Sequence, residues 1–100
     1  MGAKPLRFDK AAEAEYLEAV DWYFEQSEAA AAGFVQEFTR AAETIIEAPN
    51  RWPNYMRGAR RILLDRFPYA IVNRELPDAI QVLAVAHCSR RPGYWKDRVR

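Results

Sequence analysis

Cysteine and histidine are almost absent from this sequence. Cys88 is the only cysteine and His87 is the only histidine among the 100 residues. One cysteine cannot form an intramolecular disulfide, which fits a reducing compartment. One thiol and one imidazole cannot complete a tetrahedral zinc shell without carboxylates. We therefore expect neither a metal site nor a cofactor.

Long apolar runs are missing as well. No stretch of the chain approaches the roughly 18–20 apolar residues that cross a bilayer, and the first residues lack the apolar core of a signal peptide. We therefore expect a cytoplasmic protein without membrane contact. The sequence also contains no glycine-rich phosphate loop and no nucleophile elbow, which excludes two large classes of motif-defined enzymes.

The composition is nevertheless that of a folded protein. Half of the residues are hydrophobic and 13% are aromatic, and the chain has no low-complexity tract. A length of 100 residues suits one hydrophobic core. We therefore expect a single domain over residues 1–100.

The charges are divided unevenly along the chain. Residues 1–50 carry four bases and ten acids, which gives 4 − 10 = −6, and residues 51–100 carry eleven bases and four acids, which gives 11 − 4 = +7. Ten of those eleven bases are arginine, and no lysine occurs between positions 11 and 95. Clustered arginines indicate a polyanionic partner because they release counterions from phosphates and form forked hydrogen bonds. The alternative is a dipolar surface that only keeps the protein in solution.

The first half of the chain predicts a helical hairpin. Asp9 is a suitable N-cap for a helix over residues 10–26, in which apolar side chains recur at helical spacing. Ser27 can cap a second helix over residues 28–48, which Pro49 ends. We expect the aromatic side chains of both helices to lie in the core. Most of the acids lie on these helices, where we expect a solvated surface.

The second half predicts strands. Residues 61–64, 69–75 and 79–87 are rich in β-branched and large apolar side chains, and residues 5–8 are a candidate first strand. The expected fold class is therefore α+β, with the order β-α-α-β-β-β and the helical hairpin packed on a small antiparallel sheet.

Alternation along the last strand predicts which of its side chains share a face. One face would carry Ile80, Val82, Ala84 and Ala86, and the other Gln81, Leu83, Val85 and His87. The second set mixes polar and apolar side chains. It is therefore the candidate site.

The side chains best suited to chemistry follow that strand directly. From position 87 the chain reads His-Cys-Ser-Arg-Arg-Pro-Gly-Tyr-Trp. Such a set could hold an RNA phosphate on Arg90 or Arg91, with His87 or Tyr94 as a general base. The same set could instead dock a protein. Structural roles are the alternative for His87 and for Trp95.

Three segments of the second half are distinctive in combination. Residues 59–71 read Ala-Arg-Arg-Ile-Leu-Leu-Asp-Arg-Phe-Pro-Tyr-Ala-Ile, residues 82–87 read Val-Leu-Ala-Val-Ala-His, and residues 90–95 read Arg-Arg-Pro-Gly-Tyr-Trp. Together with the helical hairpin and the Trp52-Pro53 pair after it, they resemble the RelE/ParE superfamily of bacterial toxins. The resemblance spans nearly the whole chain. It implies a type II toxin whose antitoxin wraps an extended or helical segment over its surface.

The resemblance leaves two targets open, DNA gyrase and ribosome-bound mRNA. Nucleases of the superfamily often use lysines ahead of the sheet, which this chain lacks, and the hairpin with a short basic tail resembles ParE-type plasmid stabilisation toxins. We therefore favour a ParE-like gyrase inhibitor, which needs no catalytic residue. A RelE-like mRNA endonuclease using His87 and Tyr94 and a non-toxic interaction module are the alternatives, so enzymatic activity stays open. The residues assigned to partner binding are Arg60, Arg61, Arg90, Arg91 and Trp95.

Overall fold

Both predicted helices and all four predicted strands form. A computed structural model describes residues 4–99, and residues 1–3 and 100 of the predicted domain lie outside the described residues. The elements are β1 (Leu6–Phe8), α1 (Lys10–Gln26), α2 (Glu28–Glu47), β2 (Arg60–Leu63), β3 (Tyr69–Glu75) and β4 (Ile80–His87), followed by a short 3-10 helix over Lys96–Arg98. The predicted α+β class and element order are confirmed.

Side-chain caps define the helical hairpin. The Asp9 carboxylate accepts a hydrogen bond of 2.9 Å from a backbone N–H in the first turn of α1. Ser27 serves both helices, because its N–H donates to the Tyr23 carbonyl and its hydroxyl accepts from a backbone N–H of α2. The second helix ends at Glu47, since the residue before Pro49 is disfavoured in the helical region. Neither helix of the described chain is long and apolar enough to span a bilayer.

The four strands form one mixed sheet in the order β1-β4-β3-β2. The pairs β2–β3 and β3–β4 are antiparallel, as predicted. The first strand instead runs parallel to β4, with Leu6 opposite Ile80 and Phe8 opposite Val82. The residue pattern identifies a segment as a strand but not the strand with which it pairs. The parallel β1–β4 pair therefore corrects the antiparallel sheet that we expected from the sequence.

The alternation predicted along β4 holds as far as Leu83 and is wrong from Ala84 onward. Pairing with β3 skips Leu83, which marks a β-bulge. Consequently Val82 and Val85 both pack into the core beneath the helices. The side chains of Leu83 and Ala84 pack together on the opposite face. His87 therefore lies on the helix side of the sheet, together with Val82.

Hydrophobic side chains cover both faces of the sheet. The larger core lies beneath the helices and is rich in aromatic rings; it includes Phe34 and Phe38 with Tyr16, Tyr23, Phe67 and Tyr69 around them. The expectation that the helical aromatic side chains lie in the core is wrong for Trp22 and Phe24, which are exposed. A smaller core lies on the other face, where Trp95 packs with Val72, Leu83 and Ala84. This second core holds the segment after β4 against the sheet, and that segment carries most of the candidate site.

Candidate partner-binding site

A small cleft beside this second core brings most of the predicted site residues together. It has a volume of about 100 Å³. Pockets that enclose small-molecule ligands usually measure about 300–1,000 Å³. The cleft therefore admits one side chain or one phosphate group. We call it the arginine cleft, and the residues that line it are Tyr55, Arg61, Leu63, Ala70, Val72, Ala86, His87, Cys88, Arg90, Arg91, Pro92, Gly93, Tyr94 and Trp95.

Positive charge dominates the arginine cleft. None of the described residues that line it is an aspartate or a glutamate. Within residues 4–99, no carboxylate forms an ion pair with Arg61, Arg90 or Arg91. All three arginines are exposed. Three guanidiniums without an ion-pair partner around one small cleft favour the binding of an anion there, although Glu15 and Glu18 line a neighbouring pocket together with Arg90.

Two of these guanidiniums are stacked on tyrosine rings. The Cζ atom of Arg61 lies 4.2 Å from the centroid of the Tyr55 ring, and that of Arg90 lies 3.8 Å from the centroid of the Tyr94 ring. Stacking engages the face of a guanidinium and leaves its in-plane N–H donors free. Within the described chain, no acceptor takes a hydrogen bond from either side chain. Both arginines thus present unused donor forks.

Each tyrosine is in turn held by a buried group. The Tyr55 ring packs against Trp95, with 6.2 Å between ring centroids, and Trp95 is 1% exposed. The Tyr94 hydroxyl donates a hydrogen bond of 2.8 Å to the Glu15 carboxylate on α1. The positions of the two stacked guanidiniums are therefore fixed from beneath.

Glu15 is the centre of a compact network at the edge of β4. Its carboxylate accepts two hydrogen bonds of 3.0 Å from the Arg98 guanidinium and one of 3.0 Å from the Val85 N–H. Arg98 also donates to the Leu83 carbonyl at 2.9 Å. The last two bonds provide partners for backbone groups at the edge of β4, beyond the point where β1 ends. The solvated surface expected for the helical acids is thus wrong for Glu15, whose side chain is 14% exposed.

The Tyr94 phenol is unsuited to act as a base. Burial, followed by the hydrogen bond to Glu15 and the charge of that carboxylate, raises the pKa of Tyr94 far above its ordinary value of 10.0. The phenol therefore stays protonated at neutral pH, and its proton is directed at Glu15. A general base needs the opposite arrangement, an unprotonated atom that faces the substrate.

The His87 imidazole is also engaged. Its Nδ1 accepts a hydrogen bond of 3.0 Å from the Ser89 N–H and lies 2.8 Å from the Ser89 hydroxyl. A nitrogen that accepts from a backbone N–H carries no proton, so the neutral ring is protonated on Nε2. The ring packs edge-on against Tyr69, with 5.1 Å between centroids. The unprotonated Nδ1 is therefore already engaged by Ser89 in a local turn.

Arg60 lies outside the arginine cleft, although its neighbour Arg61 lines it. Its guanidinium donates to the Trp52 carbonyl and to the side chains of Asn54 and Asn50, at 3.0–3.2 Å. Adjacent residues of a strand point to opposite faces, so the two arginines cannot share one site. The assignment of Arg60 to partner binding stays a prediction, at a place apart from the other three arginines.

Trp95 lines the arginine cleft from the buried side and offers almost no exposed surface there. It is 1% exposed and belongs to the second core. Its contribution to the site is the support that it gives to Tyr55.

Sequence reasoning did not find Glu15, Tyr55 or Arg98. Glu15 and Arg98 are 83 positions apart, and no local pattern links them. An aromatic residue in the loop before β2 was a weak signal for Tyr55.

Among residues 4–99, no group of three or more histidine, cysteine, aspartate or glutamate side chains is placed to hold a metal ion.

Fold and site together define a small α+β protein with a cationic cleft on one face of its sheet. The family model for the ParE toxin of type II toxin-antitoxin system, parDE, matches residues 6–92. The chain belongs to this ParE toxin family, which confirms the resemblance seen in the sequence.

A solved structure supports the fold independently. The chain is similar to one described as "Chromosomal ParDE TA system from P. aeruginosa", with a TM-score of 0.72 and 21% sequence identity. The match covers 85% of this chain and 96% of that chain. No curated protein sequence matches the chain.

Proposed function

We propose that this ParE-type toxin acts in the cytoplasm by binding and inhibiting DNA gyrase, and that a cognate antitoxin neutralises it. Membership of the ParE toxin family supports the toxin role. Inhibition by binding requires a shaped surface and no proton transfer. The sequence suggested His87 and Tyr94 for proton transfer, so the surroundings of these two residues distinguish binding from catalysis.

The observation that carries the proposal is the hydrogen bond from the Tyr94 hydroxyl to Glu15. It commits the phenol to an acceptor inside the protein, and the pKa of Tyr94 is raised by burial and by that acceptor. The unprotonated nitrogen of His87 is engaged by Ser89. An endonuclease needs groups that exchange protons with an attacking hydroxyl and a leaving oxygen. The arrangement therefore favours binding over RNA cleavage.

Apolar surface on α1 supports an antitoxin partner. Leu17, Trp22 and Phe24 are 54%, 55% and 58% exposed. Large apolar side chains exposed on one helix are typical of protein interfaces. The similar solved structure is described as a ParDE TA system, which is a toxin with its antitoxin. Leu17 and Phe24 are seven residues apart and lie on one face of α1, whereas Trp22 lies on another, beside Tyr69 and His87. An apolar antitoxin segment would cover Leu17 and Phe24.

Purified protein tests the proposal directly. Gyrase is incubated with supercoiled plasmid and increasing toxin, and ribosomes programmed with mRNA receive the same preparation. We expect loss of supercoiling activity and accumulation of cleaved plasmid, with intact mRNA. Cleaved mRNA together with unaffected gyrase would establish the endonuclease instead. Folded protein that affects neither target would support an interaction module without toxicity.

A further inference from the structure

We propose that the arginine cleft binds an acidic side chain from an extended segment of the antitoxin. The identity of the partner rests on the proposed function. The location and the ligand chemistry rest on the cleft itself. Three properties of the cleft support the proposal: its hydrogen-bond donors, its aromatic rings and its apolar rim.

The donors match a carboxylate. Arg61 and Arg90 each present an in-plane fork of N–H groups that is unused within residues 4–99. Such a fork pairs with the two oxygens of a carboxylate through parallel hydrogen bonds. Stacking on Tyr55 and Tyr94 at 4.2 and 3.8 Å fixes both forks before binding. Little side-chain entropy is then lost when the ligand arrives, which strengthens binding.

The aromatic rings argue against a nucleic acid as the ligand. Recognition of single-stranded RNA relies on bases that stack on exposed aromatic side chains. Here a guanidinium already stacks on Tyr55 and another on Tyr94. Trp95 is buried, at 1% exposure. The volume of about 100 Å³ does not enclose a base together with its phosphate.

The rim argues for a peptide. Leu63, Ala70 and Ala86 line the cleft beside the guanidiniums, and Leu63 is 55% exposed. An extended peptide points successive side chains in opposite directions and can set an acid between apolar residues. A segment in which glutamate alternates with apolar residues would pair its carboxylate with the forks. Its apolar side chains would cover Leu63.

Nuclear magnetic resonance of the purified toxin tests this proposal without gyrase or antitoxin. The probe is an eight-residue peptide of alternating leucine and glutamate, and its control has glutamine at each glutamate. We expect the glutamate peptide to shift the side-chain Nε–H signals of Arg61 and Arg90. The signals of Arg66 and Arg98 should stay in place, because Glu37 and Glu15 already occupy those guanidiniums.

Matched variants make the test specific. Arg61→Gln and Arg90→Gln should each weaken peptide binding by about tenfold or more, because each removes hydrogen bonds to a charged group. Arg57→Gln removes the same charge from an exposed loop position outside the cleft and should leave binding within about twofold. Arg90→Lys keeps the charge but loses the fork and should also weaken binding. Thermal unfolding of each variant confirms that it is folded.

Three results would overturn the proposal. The first is a set of equal shifts with the glutamate and glutamine peptides. The second is an RNA oligonucleotide that binds to the same arginines more tightly than the glutamate peptide. The third is the absence of shifts at Arg61 and Arg90 at millimolar peptide. Gyrase inhibition is measured separately, so its loss or persistence is independent of these results.

Discussion

The Glu15 carboxylate and the Arg98 guanidinium form a two-pronged ion pair, with both N–O distances at 3.0 Å and with side chains that are 14% and 19% exposed. This pair connects the first helix to the last described turn of the chain. It also anchors Tyr94, on whose ring Arg90 stacks. The geometry of the arginine cleft therefore depends on a residue from the acidic half of the sequence.

Removal of Glu15 should destabilise the fold strongly. Glu15→Ala would leave the Arg98 guanidinium buried without its counter-charge and the Val85 N–H without an acceptor. We expect a loss of about 3 kcal/mol in the free energy of unfolding, measured by urea denaturation. The matched control is Asp78→Ala, which breaks the Arg7–Asp78 pair, whose side chains are 59% and 68% exposed. That change should cost about 0.5 kcal/mol or less.

Tyr94 should ionise only at strongly alkaline pH. Burial and the Glu15 hydrogen bond raise the pKa of Tyr94 in the folded protein, and an unfolded tyrosine titrates near 10. This stabilisation is fully present below about pH 10 and is lost as the pH rises from there towards the folded pKa. Carbon resonances of labelled tyrosine should show the Tyr94 ring still protonated after Tyr16, Tyr23 and Tyr69, whose pKa values burial also raises, have ionised. Tyr94→Phe should remove that signal, and ionisation of Tyr94 at an ordinary pH would contradict the described contact.

Glu37 should make the fold sensitive to acid. Although burial opposes its ionisation, hydrogen bonds from the backbone N–H groups of Arg66 and Asp65 hold the pKa of Glu37 below its ordinary value. An unfolded glutamate titrates near 4.3, so this stabilisation is complete above about pH 4.3 and disappears as the pH falls through the lower folded pKa. Glu37→Gln should flatten the dependence of unfolding free energy on pH in that window. The matched control is the same change at Glu43, which is exposed and accepts no hydrogen bond within residues 4–99.

Two glycines provide a matched test of the tail packing. Gly58 and Gly93 have φ angles of 74° and 78°, which side-chain-bearing residues rarely adopt. A Cβ atom at Gly58 would meet nothing within 4 Å, whereas one at Gly93 would lie 3.0 Å from Met56 Sδ and 2.8 Å from Lys96 Cε. Gly58→Ala should cost about 1 kcal/mol of unfolding free energy. Gly93→Ala should cost about 0.5–1 kcal/mol more. Equal losses for the two variants would show that the Met56 and Lys96 side chains move away freely.

Local signals predicted the helical hairpin well. Asp9 and Ser27 are caps and Pro49 is a helix stop, and each acts through atoms a few residues away. Sequence patterns carry such short-range chemistry directly. The element order and the fold class followed from it.

The site was harder to predict because its geometry depends on long-range pairing. The bulge at Leu83 reverses which face the end of β4 presents, and strand registers were needed to see it. Glu15 and Arg98 meet only after the sheet and helices have packed. Arg60 and Arg61 look equivalent in the sequence, but strand alternation sends them to different places. The residue pattern therefore predicted a candidate segment after β4 but not the groups that hold this segment in place.

The central claim is that this toxin binds its target and does not cut RNA. The most direct measurement compares the wild type with the double variant His87→Gln/Tyr94→Phe in a gyrase assay with supercoiled plasmid and in an mRNA cleavage assay on ribosomes. We predict that both proteins inhibit gyrase at the same concentrations and leave mRNA intact. mRNA cleavage by the wild type that the folded double variant has lost, with gyrase unaffected by either protein, would contradict the claim.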